Sequence, residues 1–216
     1  LAEGNEVFLG PLLSDDVRAV AASAGAAGVP VIAFSNDPAA ASDDVWLLGF
    51  SPAQSIERVV RYAKSRGLTR FAGLIPPGLY GRNASNMLLR AADAAGGSVV
   101  SMQSYQRTPA SIAAAIAKLP KGNYDAVLIA DSGRIAIASA PLIRKNGGAA
   151  VRILGTELWN AEPSLNNAPV LAGAWFASVD DSMFTQFTTR YRARYGRTPY
   201  RPVSYTHLTL PTKRIV

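Results

Sequence analysis

Cysteine is missing from all 216 residues, and histidine occurs once, at His207. The first absence removes disulfides, thiolate nucleophiles and cysteine-based metal sites together, although it leaves the compartment open. No apolar run approaches the ~20 residues that a membrane-spanning helix needs. The longest, residues 29–34, 45–50 and 126–130, have the length of strands. Signatures for nucleotide chemistry are absent as well: there is no Gly-x-Gly-x-x-Gly and no Walker A stretch to cradle a phosphate. Nor is there a Gly-x-Ser-x-Gly nucleophile elbow. On these grounds neither a cofactor nor a metal is expected. Charge is sparse too, at 17% of residues against 49% hydrophobic, a balance that suits a buried core and not a disordered chain. The length accommodates one large or two small domains.

The end of the chain needs separate treatment. The run Val203-Ser204-Tyr205-Thr206-His207-Leu208-Thr209-Leu210-Pro211-Thr212 resembles a translated sequencing-library adapter, and 213–216 continue past the same junction. Residues 203–216 are therefore set aside as a non-native tail. Leu1 reads as the end of a helix, so the native chain is expected to extend further and the lack of a signal peptide carries no weight. Without the tail no histidine remains, which removes most general-base, triad and zinc schemes. Losing Lys213 and Arg214 also lowers the net charge from +7 to +5. The remaining cations are scattered singly on helices (Arg58, Arg61, Lys64, Arg66), with no aromatic interleaving, and this argues against a nucleic-acid partner.

What is present is a steady alternation of short apolar runs with helical periods. Strands are expected at residues 6–10, 29–34, 45–50, 71–75, 98–105, 125–130, 151–155 and 172–179. Helices are expected at 14–27, 52–66, from about 81 to 95, from 109, from about 135 to 147, and from about 181 to 195. In the second of these, Ile56, Val59, Val60 and Ala63 fall on one face, and Ser51-Pro52-Ala53-Gln54 supplies a capping box with proline at the first helical position. In the last, Phe184, Phe187 and Tyr191 are expected to face inward. Strands alternating with helices of this length imply an α/β protein with mostly parallel sheets.

Open parallel sheets bind ligands at the C-terminal ends of their strands. Four such places stand out: Gly10-Pro11-Leu12-Leu13-Ser14, Phe34-Ser35-Asn36-Asp37, Pro77-Gly78-Leu79-Tyr80-Gly81 and Gly155-Thr156-Glu157-Leu158-Trp159. Ser14 is either a simple helix N-cap or a cap that also contacts an anion. Asn36 suits a turn. Tyr80 is a surface aromatic or a ligand contact, Glu157 an ion-pair partner or a cleft residue, and Trp159 a packing residue or a platform. The adjacent pairs Asp15-Asp16, Asp43-Asp44 and Asp180-Asp181 suit helix starts and loops better than a metal site.

These four places, in this order, resemble the type I periplasmic-binding fold, and specifically the branched-chain amino-acid receptor group. The helix ending Arg192-Ala193-Arg194-Tyr195-Gly196-Arg197-Thr198-Pro199 is similar to a segment of that family. The resemblance covers residues 1–202. It implies a two-lobed α/β fold with parallel sheets flanked by helices, truncated at both ends. Residues 1–50 and 179–202 would form an incomplete first lobe, and 51–178 the second. It further implies an extracytoplasmic, periplasmic solute-binding protein serving ABC-type uptake through a membrane permease, possessing no catalytic function, with lipid anchoring through an N-terminal extension as an option. Ser14, with backbone groups near Phe34 and Asn36, would hold a ligand carboxylate. Tyr80 and Glu157 would meet the ligand from the second lobe, the acid pairing with its ammonium. Phe34 stands where a small residue is expected and Trp159 follows closely on Glu157, so that either would fill the cleft, and Ser132-Gly133-Arg134 replaces an expected aromatic. A filled cleft would suit a second group that the chain also resembles, the lipoprotein activators of penicillin-binding proteins, which act through protein contact in peptidoglycan synthesis.

Overall fold

Valine, isoleucine, leucine and alanine dominate the strand segments, and in the computed structural model these pair into two separate, wholly parallel sheets. Residues 4, 6–49, 51–178 and 182–199 are described. Phe50, the Asp180-Asp181 pair and the tail 203–216 with His207 lie outside them. The chain divides into two compact units, Leu1–Ser178 and Val179–Val216.

The first sheet has the order β1 (Phe8–Leu9), β2 (Val31–Ala33), β3 (Val45–Leu47). Helix α1 (Ser14–Ala26) joins β1 to β2 and buries Val17 and Ala24 in a small core with Val31, Ala33 and Val45. All three strands are shorter than their apolar runs. Pairing stops where backbone hydrogen bonds turn to loops: Phe34 donates to the Pro11 carbonyl at 2.9 Å, tying the end of β2 to the loop after β1.

The second sheet has five strands in the order β5 (Ser98–Ser104), β4 (Arg70–Ile75), β6 (Ala126–Ile129), β7 (Arg152–Gly155), β8 (Trp175–Phe176). Helices α2 (Pro52–Ser65), α3 (Leu79–Ala94), α4 (Pro109–Ala117) and α5 (Gly133–Gly147) cover it. Period-two alternation sorts its residues between two cores. Ala72, Leu74, Val127, Ile129 and Ile153 join the side with α4 and α5, whereas Phe71, Ala126, Leu128 and Leu154 join the side with α2 and α3. Burial on both faces explains why β6 reads as an unbroken apolar run. The expected face of α2 is the buried one: Ile56, Val60 and Ala63 are fully covered and Val59 nearly so. Each such valine or isoleucine stabilises the fold by about 1.5–3 kcal/mol. Ser51 caps α2 by accepting from the Ala53 N–H at 3.2 Å, with Pro52 at the first helical position.

Two differences from the sequence reading bear on the site. Helix α3 starts at Leu79, two residues earlier than its apolar spacing implies, so Tyr80 lies in its first turn. Three short 3-10 turns, Glu157–Ala161, Pro163–Asn167 and Pro169–Leu171, fill the stretch before β8 and reduce that strand to two residues. Proline begins the second and third of these, fixing φ where a strand would need a donor. In the second unit, α6 (Ser182–Tyr195) carries half-buried Phe184, Phe187 and Tyr191. Tyr191 packs at 5.6 Å from Phe187 and 4.6 Å from Tyr195, as i, i+4 spacing requires.

Candidate functional site at the strand ends of the second sheet

Registers decide what the sheet edge presents. Ile75 pairs with Ser104, Leu74 with Ile129, and Ile129 with Gly155. Beyond these last pairs Tyr105, Pro76, Asp131 and Glu157 follow the ends of β5, β4, β6 and β7. All four leave the sheet at its C-terminal edge, where helix N-termini and loops replace strand pairing.

Glu157 is the centre of one network. Its Oε1 accepts from the Tyr80 hydroxyl at 2.9 Å and its Oε2 from the Ser55 hydroxyl at 2.5 Å. Tyr80 has one proton, so the Thr156 hydroxyl, 2.9 Å away, must donate to the phenol oxygen while the phenol donates to the carboxylate. Ser55 also stands 3.1 Å from the Pro52 carbonyl, but its single proton serves the closer, charged acceptor. Burial, followed by the negative charge of Glu157, pushes the Tyr80 phenol well above the ordinary tyrosine range, so it stays a donor. No Lys or Arg among the described residues forms a salt bridge with Glu157. The half-buried carboxylate is thus held on both oxygens by neutral hydroxyls, with its charge uncompensated and lone pairs to spare.

Local sequence explains this placement. Gly81 allows α3 to begin directly over the end of β4: a methyl group there would overlap the Pro76 carbonyl. Gly155 lets the Trp159 ring lie on the β7 backbone, where any Cβ would collide with the indole. Trp159 is 2% exposed, and its N–H donates to the Asp131 carbonyl at 2.9 Å. The ring therefore braces the site from within the core.

Asp131 is the centre of the second network. Its side chain is 4% exposed and accepts from Tyr105 at 2.9 Å, Arg107 Nε at 2.8 Å and the Ser132 N–H at 2.7 Å. Burial and then the Asp131 charge raise the Tyr105 phenol, which also remains a donor. Arg134, next to the missing aromatic, points elsewhere and pairs with Glu162 at 3.3 Å.

Of the six residues singled out in the sequence, Tyr80, Glu157 and Trp159 converge at this edge. Ser14, Phe34 and Asn36 belong to the first sheet's strand ends, and no hydrogen bond among the described residues links them to Tyr80 or Glu157. Ser14 is the first helical residue of α1, preceded by Leu13 at the N-cap, and its hydroxyl makes no cap bond. The N-cap reading is thereby corrected by one position: the extended backbone is at Leu13, whose side chain has no acceptor. Phe34 is half-buried and Asn36 exposed. Ser55, Thr156, Tyr105, Arg107 and Asp131 were not singled out. Tyr105 follows β5 directly and Asp131 follows β6 after Ala130, so the strand-end rule applied to β5 and β6 would have found them.

A doubly covered parallel sheet with polar groups gathered at its C-terminal edge defines a class of small-ligand binding folds. The chain belongs to the periplasmic binding protein family, whose model matches residues 1–208, a span reaching into the adapter-like segment. The fold is that of the ABC transporter substrate-binding protein of Desulfitobacterium hafniense in complex with Leu (TM-score 0.64, 17% identity, 95% of this chain and 62% of that one). It is equally that of full-length LpoA from Haemophilus influenzae (TM-score 0.70, 17% identity, 96% of this chain and 39% of that one). An uncharacterized protein of Rickettsia prowazekii is 26% identical over 116 residues, 54% of this chain and 31% of that one. The chain therefore spans less than two thirds of the length of each of these proteins. No helix among the described residues is long and apolar enough to cross a membrane.

Proposed function

We propose that the chain belongs to an extracytoplasmic solute-binding protein that captures an amino acid between two lobes for ABC-type uptake. In this reading residues 51–178 form one lobe and residues 1–50 contribute to the other. The observation that carries the proposal is the Glu157 carboxylate, held on its two oxygens by Tyr80 and Ser55 and in no salt bridge with a cation among the described residues. Such a group is preorganised for a ligand ammonium, since its orientation is set before the ligand arrives. Ser14 and the backbone near Phe34 and Asn36 would take the ligand carboxylate across the cleft, closing it by hinge motion. The leucine complex of the Desulfitobacterium protein supports an amino acid as the ligand class. Catalysis is not part of this reading, which follows the family's description as binding proteins. The family supports an extracytoplasmic location, and this reading takes it to be the periplasm, with a membrane permease as partner.

Thermal-shift titration of the intact protein against the standard amino acids tests it. Saturable stabilisation by one chemical class is expected, because a ligand that binds only the folded state raises its stability by mass action. No response to any of them would reject the amino-acid reading.

A second reading, the penicillin-binding-protein activator branch to which LpoA points, is favoured by a different feature. A groove between α2 and β8 exposes Tyr62 and Phe176 around a half-buried Trp175, beside Arg58 and Arg61. Trp175 is stacked at 4.4 Å by Arg152 and met edge-on at 4.9 Å by Tyr62. Aromatic and arginine residues together are what protein interfaces favour. Retention of a penicillin-binding protein by the wild type, lost on Trp175→Ala, would favour this reading over the first.

A further inference from the structure

At the strand ends of the first sheet lies an ion pair that the function proposed above does not use. Asp37 follows β2 after residues 34–36, and its side chain is only 7% exposed. Its Oδ2 accepts from Arg18 Nη2 at 2.9 Å and its Oδ1 from the Ala39 N–H at 3.1 Å. Arg18 is one turn beyond Ser14 on α1, and i, i+4 spacing places the two on one face of that helix. Its Nη1 is engaged as well, donating to Asp15 at 2.6 Å. The guanidinium thus ties the first turn of α1 to the loop that follows β2.

Other contacts clamp the same loop. The Phe34 N–H donates to the Pro11 carbonyl at 2.9 Å, and the buried Ser35 hydroxyl accepts from the Asp37 N–H at 3.1 Å. The Ser35 carbonyl lies where any Cβ on Gly49 would collide with it. These bonds leave donors over: the N–H groups of Ser14, Ser35 and Asn36 have no hydrogen-bond partner among the described residues. Burying a carboxylate is costly, and capping the three-residue 3-10 turn Pro38–Ala40 offsets little of that cost. What the pair provides is geometry. We infer that Arg18 and Asp37 are positioning residues: together they fix the N-terminus of α1 against the backbone of residues 34–36, and so set the affinity for a ligand carboxylate. Neither side chain touches the ligand. The inference rests on the reading that Ser14 and the backbone near Phe34 and Asn36 take that carboxylate.

Calorimetric titration of the intact protein with L-leucine and L-leucinamide tests this, together with the same acid and amide pair of any other standard amino acid that stabilises the wild type. Each pair differs only at the carboxylate. The wild type is expected to prefer the acid by roughly tenfold to a hundredfold, the value of charge-assisted hydrogen bonds. Asp37→Asn keeps an acceptor for the Ala39 N–H but breaks the ion pair. It should weaken binding of the acid by about fivefold or more and leave the amide within about twofold, so that the preference shrinks. If that variant does not melt cooperatively, Arg18→Lys keeps a cation beside Asp37 without a fork that also reaches Asp15, and it should still lower the preference. An equal loss for acid and amide marks a purely structural pair and overturns the inference, as does a preference unchanged in both variants. A wild type that binds acid and amide equally tightly removes the carboxylate subsite and the inference with it, while the ammonium site at Glu157 stands. If no amino acid binds, the parent reading falls as well.

Discussion

Glu157→Gln separates the charge at the site from its shape. The amide is isosteric, and the structure shows how it is accommodated. One side-chain oxygen still accepts from Tyr80, and the new NH2 faces the Ser55 hydroxyl. That hydroxyl is free to turn its proton to the Pro52 carbonyl, 3.1 Å away, and to accept from the amide instead. No buried group is left unsatisfied, so stability without ligand should change by no more than about 0.5 kcal/mol. Ligand binding should suffer far more. Losing a charge-assisted bond to an ammonium costs about 1.5–3 kcal/mol, or about 10- to 150-fold in affinity. At a ligand concentration of about 100 Kd the wild type gains about 2.7 kcal/mol, whereas a variant weakened about thirtyfold gains only about 0.9 kcal/mol. The difference of about 2 kcal/mol corresponds to several degrees in Tm for a domain of this size. The assay is a pair of thermal melts for each protein, with and without the ligand that stabilises the wild type. An unchanged ligand response in Glu157→Gln would refute the ammonium site. A fall of many degrees without ligand would show the carboxylate to be structural.

Three further outcomes follow from the packing. Asp125 accepts from Arg70 and from the Thr69 and Arg70 N–H groups, and the Arg70 bond above all draws its pKa from 3.8 to about 2. Because the folded state favours the ionised form, this contribution is complete above about pH 4 and lost as pH falls through about 2; acid-unfolding curves of Asp125→Asn should be flatter in that window, and equal slopes would contradict the assignment. Gly81→Ala should destabilise by several kcal/mol, read by denaturant melts, since the methyl meets the rigid Pro76 carbonyl. Trp159→Phe should cost about 1–3 kcal/mol by leaving the Asp131 carbonyl without its buried donor, and a loss below about 0.5 kcal/mol would mean that water or another group replaces it.

Much of this protein was decided locally and could be read from residue order. The face of α2 carrying Ile56, Val59, Val60 and Ala63 had to be buried, because no other face of that helix could leave water. The all-apolar run in β6 required cover on both sides, and parallel strands required ligand chemistry at their C-terminal ends, which brought Tyr80 and Glu157 forward. Ser55, Asp131, Tyr105 and Arg107 are another matter. Ser55 lies 102 positions from the carboxylate it binds, and Arg107 lies 24 from Asp131. Strand order and register alone determine which ends become neighbours, and neither leaves a mark in local composition. Trp159 likewise could be assigned to the core only once Gly155 was seen to lie beneath its ring. Sequence thus dictated which segments form elements and which faces they bury, since those are contests between a residue and water. The partners across the sheet edge were decided only when tertiary packing brought distant strand ends side by side.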